Sequence, residues 1–334
     1  MSSTGQVSPR DPVATRERSA VSKKGMRIPT VVYSITLLLV TGLVFWIGNH
    51  NFLTAYNLNT IFGYAVLLLL VGLGQMCAIL VGGIDLSVGG IMSFVSVVFV
   101  TTIGHIGYWA YPLGLLIGVG VGYINGNILT RIRIPSFIAT LGIGGVLMSL
   151  AMLVAPVPVN VPTASWKLLD IFNGSILKVS NVLSIGLFTL LLFTVILRFR
   201  AMGRDMYYVG SNIKMSWMSG INIVKTRNLA FMLSGFGAAM AGILVSAVQL
   251  GCNPALGAPY VLNSVAAVVV GGTALTGGIG GPLNTLFGAL TVSVLQNGMT
   301  VVGVDQYFQQ SILGLMIIIS VTLTFDRSKV TVIK

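Results

Sequence analysis

The sequence predicts an all-α, polytopic membrane protein of about ten transmembrane helices, and three observations carry that expectation. Of its 334 residues, 55% are hydrophobic and only 8% are charged, against roughly 25% charged in a soluble domain. Mean hydropathy is +0.94. Val31–Gly48, Ile61–Val81, Val182–Leu197 and Phe308–Phe325 carry no charge at all and approach or reach the roughly 20 residues that span a bilayer. The third observation is where the charge sits. The net charge of +12 arises from Lys and Arg in four clusters, Arg10–Arg27, Arg131/Arg133, Arg198–Arg227 and Arg327–Lys334, with only Lys167 and Lys178 elsewhere. Given a cytosolic N-terminus and ten crossings, all four clusters fall on the cytosolic side, which is the orientation the positive-inside rule selects. The basic excess is thus a topology signal, with docking to a cytosolic partner as a second use, and not a nucleic-acid surface.

Taken in order, residues 1–29 are polar, basic and contain Pro and Ser, the makeup of a disordered cytosolic tail. They are too long for a signal-peptide n-region, and no A-x-A cleavage pattern follows, so the next run stays as the first helix of a transmembrane domain spanning 30–326. Residues 327–334 form a second cytosolic tail. Apolar runs place helices near 31–48, 61–81, 90–107, 109–130, 136–155, 182–199, 229–249, 260–276, 283–303 and 309–325. Pro156–Asn181, punctuated by Pro156, Pro158, Pro162 and Gly174, reads as an external loop. Arg198–Arg227 reads as the main cytosolic loop. In the fourth helix Gly114, Gly118, Gly122 and Gly126 recur every four residues and align on one face, where a neighbouring helix can approach closely.

A weak internal repeat links two distant places. Val81-Gly82-Gly83-Ile84-Asp85-Leu86-Ser87-Val88-Gly89 is similar to Val270-Gly271-Gly272-Thr273-Ala274-Leu275-Thr276-Gly277-Gly278. Six predicted helices separate them, so the copies point the same way. Parallel repeats and Gly-interrupted helices at matching positions are one plan of transporters. On that reading Gly83, Asp85, Ser87, Gly89, Thr273 and Thr276 are the candidate pathway residues.

Catalytic chemistry is sparsely supported. There is no G-x-x-x-x-G-K-[ST] loop, no H-E-x-x-H and no G-x-S-x-G. Cys77, Cys252, His50 and His105 make no ligand cluster. The expectation is a transport subunit with no cofactor, metal or catalytic residue. Of seven acidic residues, Asp85 lies nearest to the middle of an apolar stretch. A carboxylate there costs roughly 2.5–3.5 kcal/mol on insertion scales. It either lines the pathway and shapes a broken helix, or caps the third helix. One such group is too few for proton or sodium coupling.

Three stretches resemble the permease subunits of bacterial ATP-binding-cassette sugar importers of the ribose, galactofuranose and autoinducer-2 type. They are Gly82–Gly89, Ile134-Pro135-Ser136-Phe137-Ile138-Ala139-Thr140-Leu141-Gly142, and Ala266–Gly278. A fourth lies in the cytosolic loop, where Gly210, Asn212, Gly220 and Ile221 match a stretch that the resemblance implies contacts the ATPase, with Met215-Ser216 standing where alanines are usual. The resemblance implies a multi-pass permease of the bacterial inner membrane with both termini cytosolic. Implied partners are two cytosolic ATPase subunits, an external sugar-binding protein, a second permease subunit and membrane lipid, with ATP hydrolysed in a separate chain. Where the family often has an acidic E-L-D stretch, this chain reads Val261-Leu262-Asn263-Ser264, a departure that points toward a heteromeric permease pair. The competing readings are an importer of branched-chain amino acids or nucleosides, and an ATP-independent channel or carrier.

Overall fold

The computed structural model describes residues 30–176 and 179–324, so the two expected tails and Lys178 lie outside the described residues. Among the described residues the chain is helical almost throughout. The helices are α1 (Thr30–Gly48), α2 (Ala55–Leu80), α3 (Val88–Ile106), α4 (Ala110–Asn127), α5 (Ser136–Val154), the single turn α6 (Asp170–Asn173), α7 (Asn181–Phe199), the short pair α8 (Ala201–Ser211) and α9 (Ile213–Met218), α10 (Ile223–Gln249), α11 (Ala258–Val270), α12 (Pro282–Val301) and α13 (Gln306–Thr324). Ten of these stand at the ten expected positions. Six segments are long and apolar enough to cross a membrane unaided, and one of them, Val88–Ile132, holds both α3 and α4.

Helix ends differ from expectation where capping chemistry overrides hydropathy. α2 starts at Ala55 because the Thr54 hydroxyl accepts from Asn57 N–H. α10 starts at Ile223, inside the basic loop, because the Asn222 side-chain Oδ1 accepts from Lys225 N–H at 2.9 Å. The helix expected over 260–276 stops at Val270. At 1.5 Å per residue, its 13 residues span roughly 20 Å, short of the bilayer core. The expected external loop carries three two-residue strands and a fourth follows α10, making two pairs. β1 (Val159–Asn160) pairs with β4 (Gly251–Cys252), and β2 (Ser175–Ile176) with β3 (Val179–Ser180).

Burial separates centre from rim. Of the apolar window in α2, 83% is buried, against 6% in α1 and 22% in both α5 and α7. Leu39, Leu43, Leu153, Leu191 and Ile318 point outward, as lipid-facing side chains do. Because lipid is as apolar as leucine, hydrophobicity does not hold the centre together; close van der Waals approach does. The glycine stripe of α4 makes that approach. A Cβ at Gly118 would strike the Gly235 carbonyl and Ala239 of α10, and one at Gly122 would strike the Phe231 carbonyl. The stripe is a packing face, as its spacing predicts.

Candidate functional site

α2 and α11 lie side by side and run the same way, since Tyr64 packs beside Tyr260 and Leu80 meets Gly278. Both end alike. Gly82 N–H donates to Ile79 O at 2.9 Å and Gly83 N–H to Ala78 O at 3.0 Å, while Gly272 N–H donates to Val269 O at 2.8 Å and Thr273 N–H to Val268 O at 3.1 Å. Gly82 and Gly272 hold φ at 76° and 89°, the left-handed region where glycine is the favoured residue. These are two copies of one glycine C-cap motif. The repeat in the sequence therefore has a structural counterpart, in a register one residue from the string match: Gly82 corresponds to Gly272, not Gly271.

Past each cap the chain runs unwound, over 81–87 and over 271–281. Irregular backbone among transmembrane helices needs partners from the protein itself. For the first break, α5 supplies them. Ile84 N–H donates to Ser136 Oγ at 3.0 Å, and Leu86 N–H to Thr140 Oγ1 at 2.9 Å. Asp85 Oδ1 accepts from Ser87 N–H at 3.0 Å and from Ser87 Oγ at 2.6 Å, and Asn125 Nδ2 donates to that hydroxyl at 2.8 Å. The Gln75 amide brackets Asp85's own peptide groups, donating to its O at 2.8 Å. Asp85, Ser87, Gln75, Asn125 and Ser234 are all fully buried. Asp85 Oδ2 makes no hydrogen bond within 3.5 Å among the described residues, and the buried Ser234 hydroxyl is its polar neighbour. Ser87, not Asp85, is the residue that precedes the first turn of α3, and its side chain makes no capping bond.

The remaining candidate pathway residues divide. Gly83 and Gly89 are buried, and a Cβ on Gly89 would strike the Gly257 carbonyl. Thr273 is buried beside Gly280, with its hydroxyl unpartnered. Thr276 is exposed.

Of the candidates in the basic loop, Gly210 arrives at the same place. α8 is wedged where the breaks meet. Gly278 N–H donates to Leu80 O at 3.0 Å, and a Cβ on Gly210 would strike both of those atoms. Tyr207 Oη donates to Gly280 O at 3.1 Å, and burial raises the Tyr207 phenol pKa above its ordinary value. Asn212 then starts α9 by accepting from Met215 N–H at 3.0 Å. Gly220, at φ 81°, ends it with Gly220 N–H on Trp217 O and Ile221 N–H on Ser216 O, both at 3.0 Å. This short, doubly capped helix exposes Met215, Trp217 and Met218. Beside it Arg204, Tyr208, Asn212, Met215 and Ile221 border a cleft of about 630 Å³.

The sequence stretches thus meet at one junction: 81–87 and 271–281 as the breaks, Ser136 and Thr140 as support for the first, and Gly210 and Ser211 of α8 as the wedge, with Asn212, Gly220 and Ile221 beyond it at the ends of α9. Sequence reasoning missed Gln75, Asn125 and Ser234. The available signal was a polar side chain inside an otherwise apolar helix.

A family model described as branched-chain amino acid transport system / permease component matches residues 57–321. Among curated proteins, the ribose import permease protein RbsC of Haemophilus influenzae is 30% identical over 86% of this chain and 90% of its own length. Its namesake in Escherichia coli is 32% identical, over 86% and 91%. The fructose import permease protein FrcC of Rhizobium meliloti is 30% identical, over 89% and 84%.

Proposed function

This chain belongs to the branched-chain amino acid transport system / permease component family, and from that premise we propose that it is the membrane subunit of an ATP-binding-cassette importer that carries a sugar. The relatives named for ribose and fructose import support the cargo class. The observation that carries the mechanism is the seating of α8 on both broken helices.

In this reading α9, rigid through its two caps, docks on a cytosolic ATPase through Met215, Trp217 and Met218. Gly210, Asn212, Gly220 and Ile221 form the coupling element. When ATP binding and hydrolysis move α9, α8 shifts the junction between Leu80 and Gly278. α2 and α11 then move as rods between outward-open and inward-open states. Gly83, Asp85, Ser87, Gly89, Thr273 and Thr276 act by shaping the breaks, with Asp85 and Ser87 locking the first. A second permease, two ATPase subunits and an external binding protein complete the importer in the bacterial inner membrane. Both termini are cytosolic, since the basic loops lie at the α8 end.

Uptake of labelled ribose, fructose and allose by vesicles carrying this chain tests the reading. Transport that requires ATP, the ATPase and the binding protein is the expected result. Transport by the chain alone would overturn it in favour of a channel or carrier.

A further inference from the structure

A cavity of about 470 Å³ opens at the opposite end of the same two helices. From Tyr64 at this cavity to Leu80 at the break, α2 rises about 24 Å. The volume lies within the roughly 300–1,000 Å³ of small-molecule sites. Ten of its twelve lining residues carry polar, uncharged side chains, and among the described residues no Lys, Arg, Asp or Glu lines it. A zwitterionic amino acid would leave two desolvated charges uncompensated here, which is costly. A neutral ligand would not.

Three polar atoms of this lining are unspent. Asn263 Oδ1, Ser293 Oγ and Asn297 Oδ1 are buried without a hydrogen-bond partner among the described residues, although about nine in ten buried polar groups have one. Ser293 and Asn297 stand one turn apart on α12 and so share a face. Asn263 projects from α11, and its Nδ2 donates to Tyr64 Oη at 3.1 Å, which orients the amide and leaves its oxygen free. Two carbonyl acceptors and a hydroxyl suit a ligand that presents several hydroxyl groups. The Tyr64 and Tyr260 rings, with centroids 5.8 Å apart, offer apolar area for the C–H faces of such a ligand.

We infer that this cavity is a binding station for a neutral, polyhydroxylated substrate, held by Asn263, Ser293 and Asn297 against the Tyr64–Tyr260 pair. The inference deepens the sugar-importer reading and rests on it. It places the station and the ATP-driven junction at opposite ends of the same two rods, so that a shift of α2 and α11 at one end alters the cavity at the other.

The test uses the assembled importer with Ser293→Cys, Asn297→Cys or Gln310→Cys, the last at the exposed rim in case the buried variants fail to accumulate. Cys77 and Cys252 are buried, so background labelling by a methanethiosulfonate–biotin reagent is low. The probe is whichever of D-ribose, D-fructose and D-allose the unsubstituted importer transports. At ten times its half-saturating concentration, that sugar should slow labelling about tenfold, while an exposed Ser311→Cys control on α13 is not protected. Modification should also abolish the uptake each variant shows before labelling. Equal labelling with and without sugar, together with unchanged uptake, overturns the cavity assignment while leaving the importer reading intact. Labelling blocked by assembly itself, independent of sugar, marks the cavity as a seam between permease subunits and overturns the assignment too. If the unsubstituted importer transports none of the three, the sugar reading falls, and the cavity inference with it.

Discussion

Asp85 shows how one side chain is legible as a type and illegible as a partner. It is the acidic residue nearest the middle of an apolar stretch, so the sequence marks it at once. Its role depends on Ser87 in the break, whose hydroxyl Asn125 of α4 holds in turn, and on Gln75 of α2, which meets the Asp85 peptide groups. Ser87, two residues on, is within local reach, but nothing in local spacing announces Asn125 or Gln75, because those contacts are set by how separate helices pack. A consequence follows at this scale. Asp85→Ala removes the acceptor of the buried Ser87 N–H and hydroxyl, which costs about 1–3 kcal/mol for a group left unsatisfied. Asp85→Asn keeps an oxygen at Oδ1 and forfeits less. Thermal unfolding of the purified protein in detergent is expected to order the melting temperatures as unsubstituted, Asn, Ala. An Ala variant as stable as the parent would remove Asp85 from the scaffold of the break.

Among elements, the ten long helices were legible because apolar runs and basic clusters repeat along the chain. The second break was misread. Residues 270–276 stay apolar or small, so hydropathy carries the helix to Thr276, whereas Gly272 turns left-handed and ends it at Val270. The one-residue shift between the string match and the matching caps has the same origin, since composition aligns glycine pairs and geometry aligns the residue with positive φ. The α8 wedge was invisible as a contact, for its partners Leu80 and Gly278 lie far away in sequence. It yields the sharpest prediction at this scale. Gly210→Val places a branched side chain against the Leu80 carbonyl and must push α8 off the junction. Such a variant should keep its ATPase partner through α9 yet lose sugar uptake at least about tenfold, as a misplacement of about 1 Å can cost in a positioned site. Trp217→Ala, on the exposed face of α9, should do the converse and weaken ATPase co-purification, since a buried interface tryptophan is worth about 2 kcal/mol or more. Uptake and co-purification measured on both variants separate coupling from docking.

For the whole molecule, orientation is the property on which the rest depends, and charge argues it more firmly than any single helix. The α8 end carries Arg198, Arg200, Arg204, Lys214, Lys225 and Arg227 between α7 and the first turns of α10. The opposite end carries Lys167 in the loop between α5 and α7. Short loops rich in Lys and Arg stay cytosolic, so the proposed orientation sets the junction toward the cytosol and the polar cavity outward. An importer requires this arrangement, because its cargo arrives where the binding protein waits and ATP is hydrolysed where the wedge sits. Single cysteines test it directly. Lys167→Cys is expected to react with a membrane-impermeant maleimide in intact cells, and Lys214→Cys only after the membrane is permeabilised. Both positions are exposed, so a failure to label cannot be blamed on burial within this chain. The reverse pattern would turn the molecule over, leaving the coupling element outside the cell, beyond the reach of any cytosolic ATPase. An importer driven from that face could not work, and the proposed function would fall with the orientation.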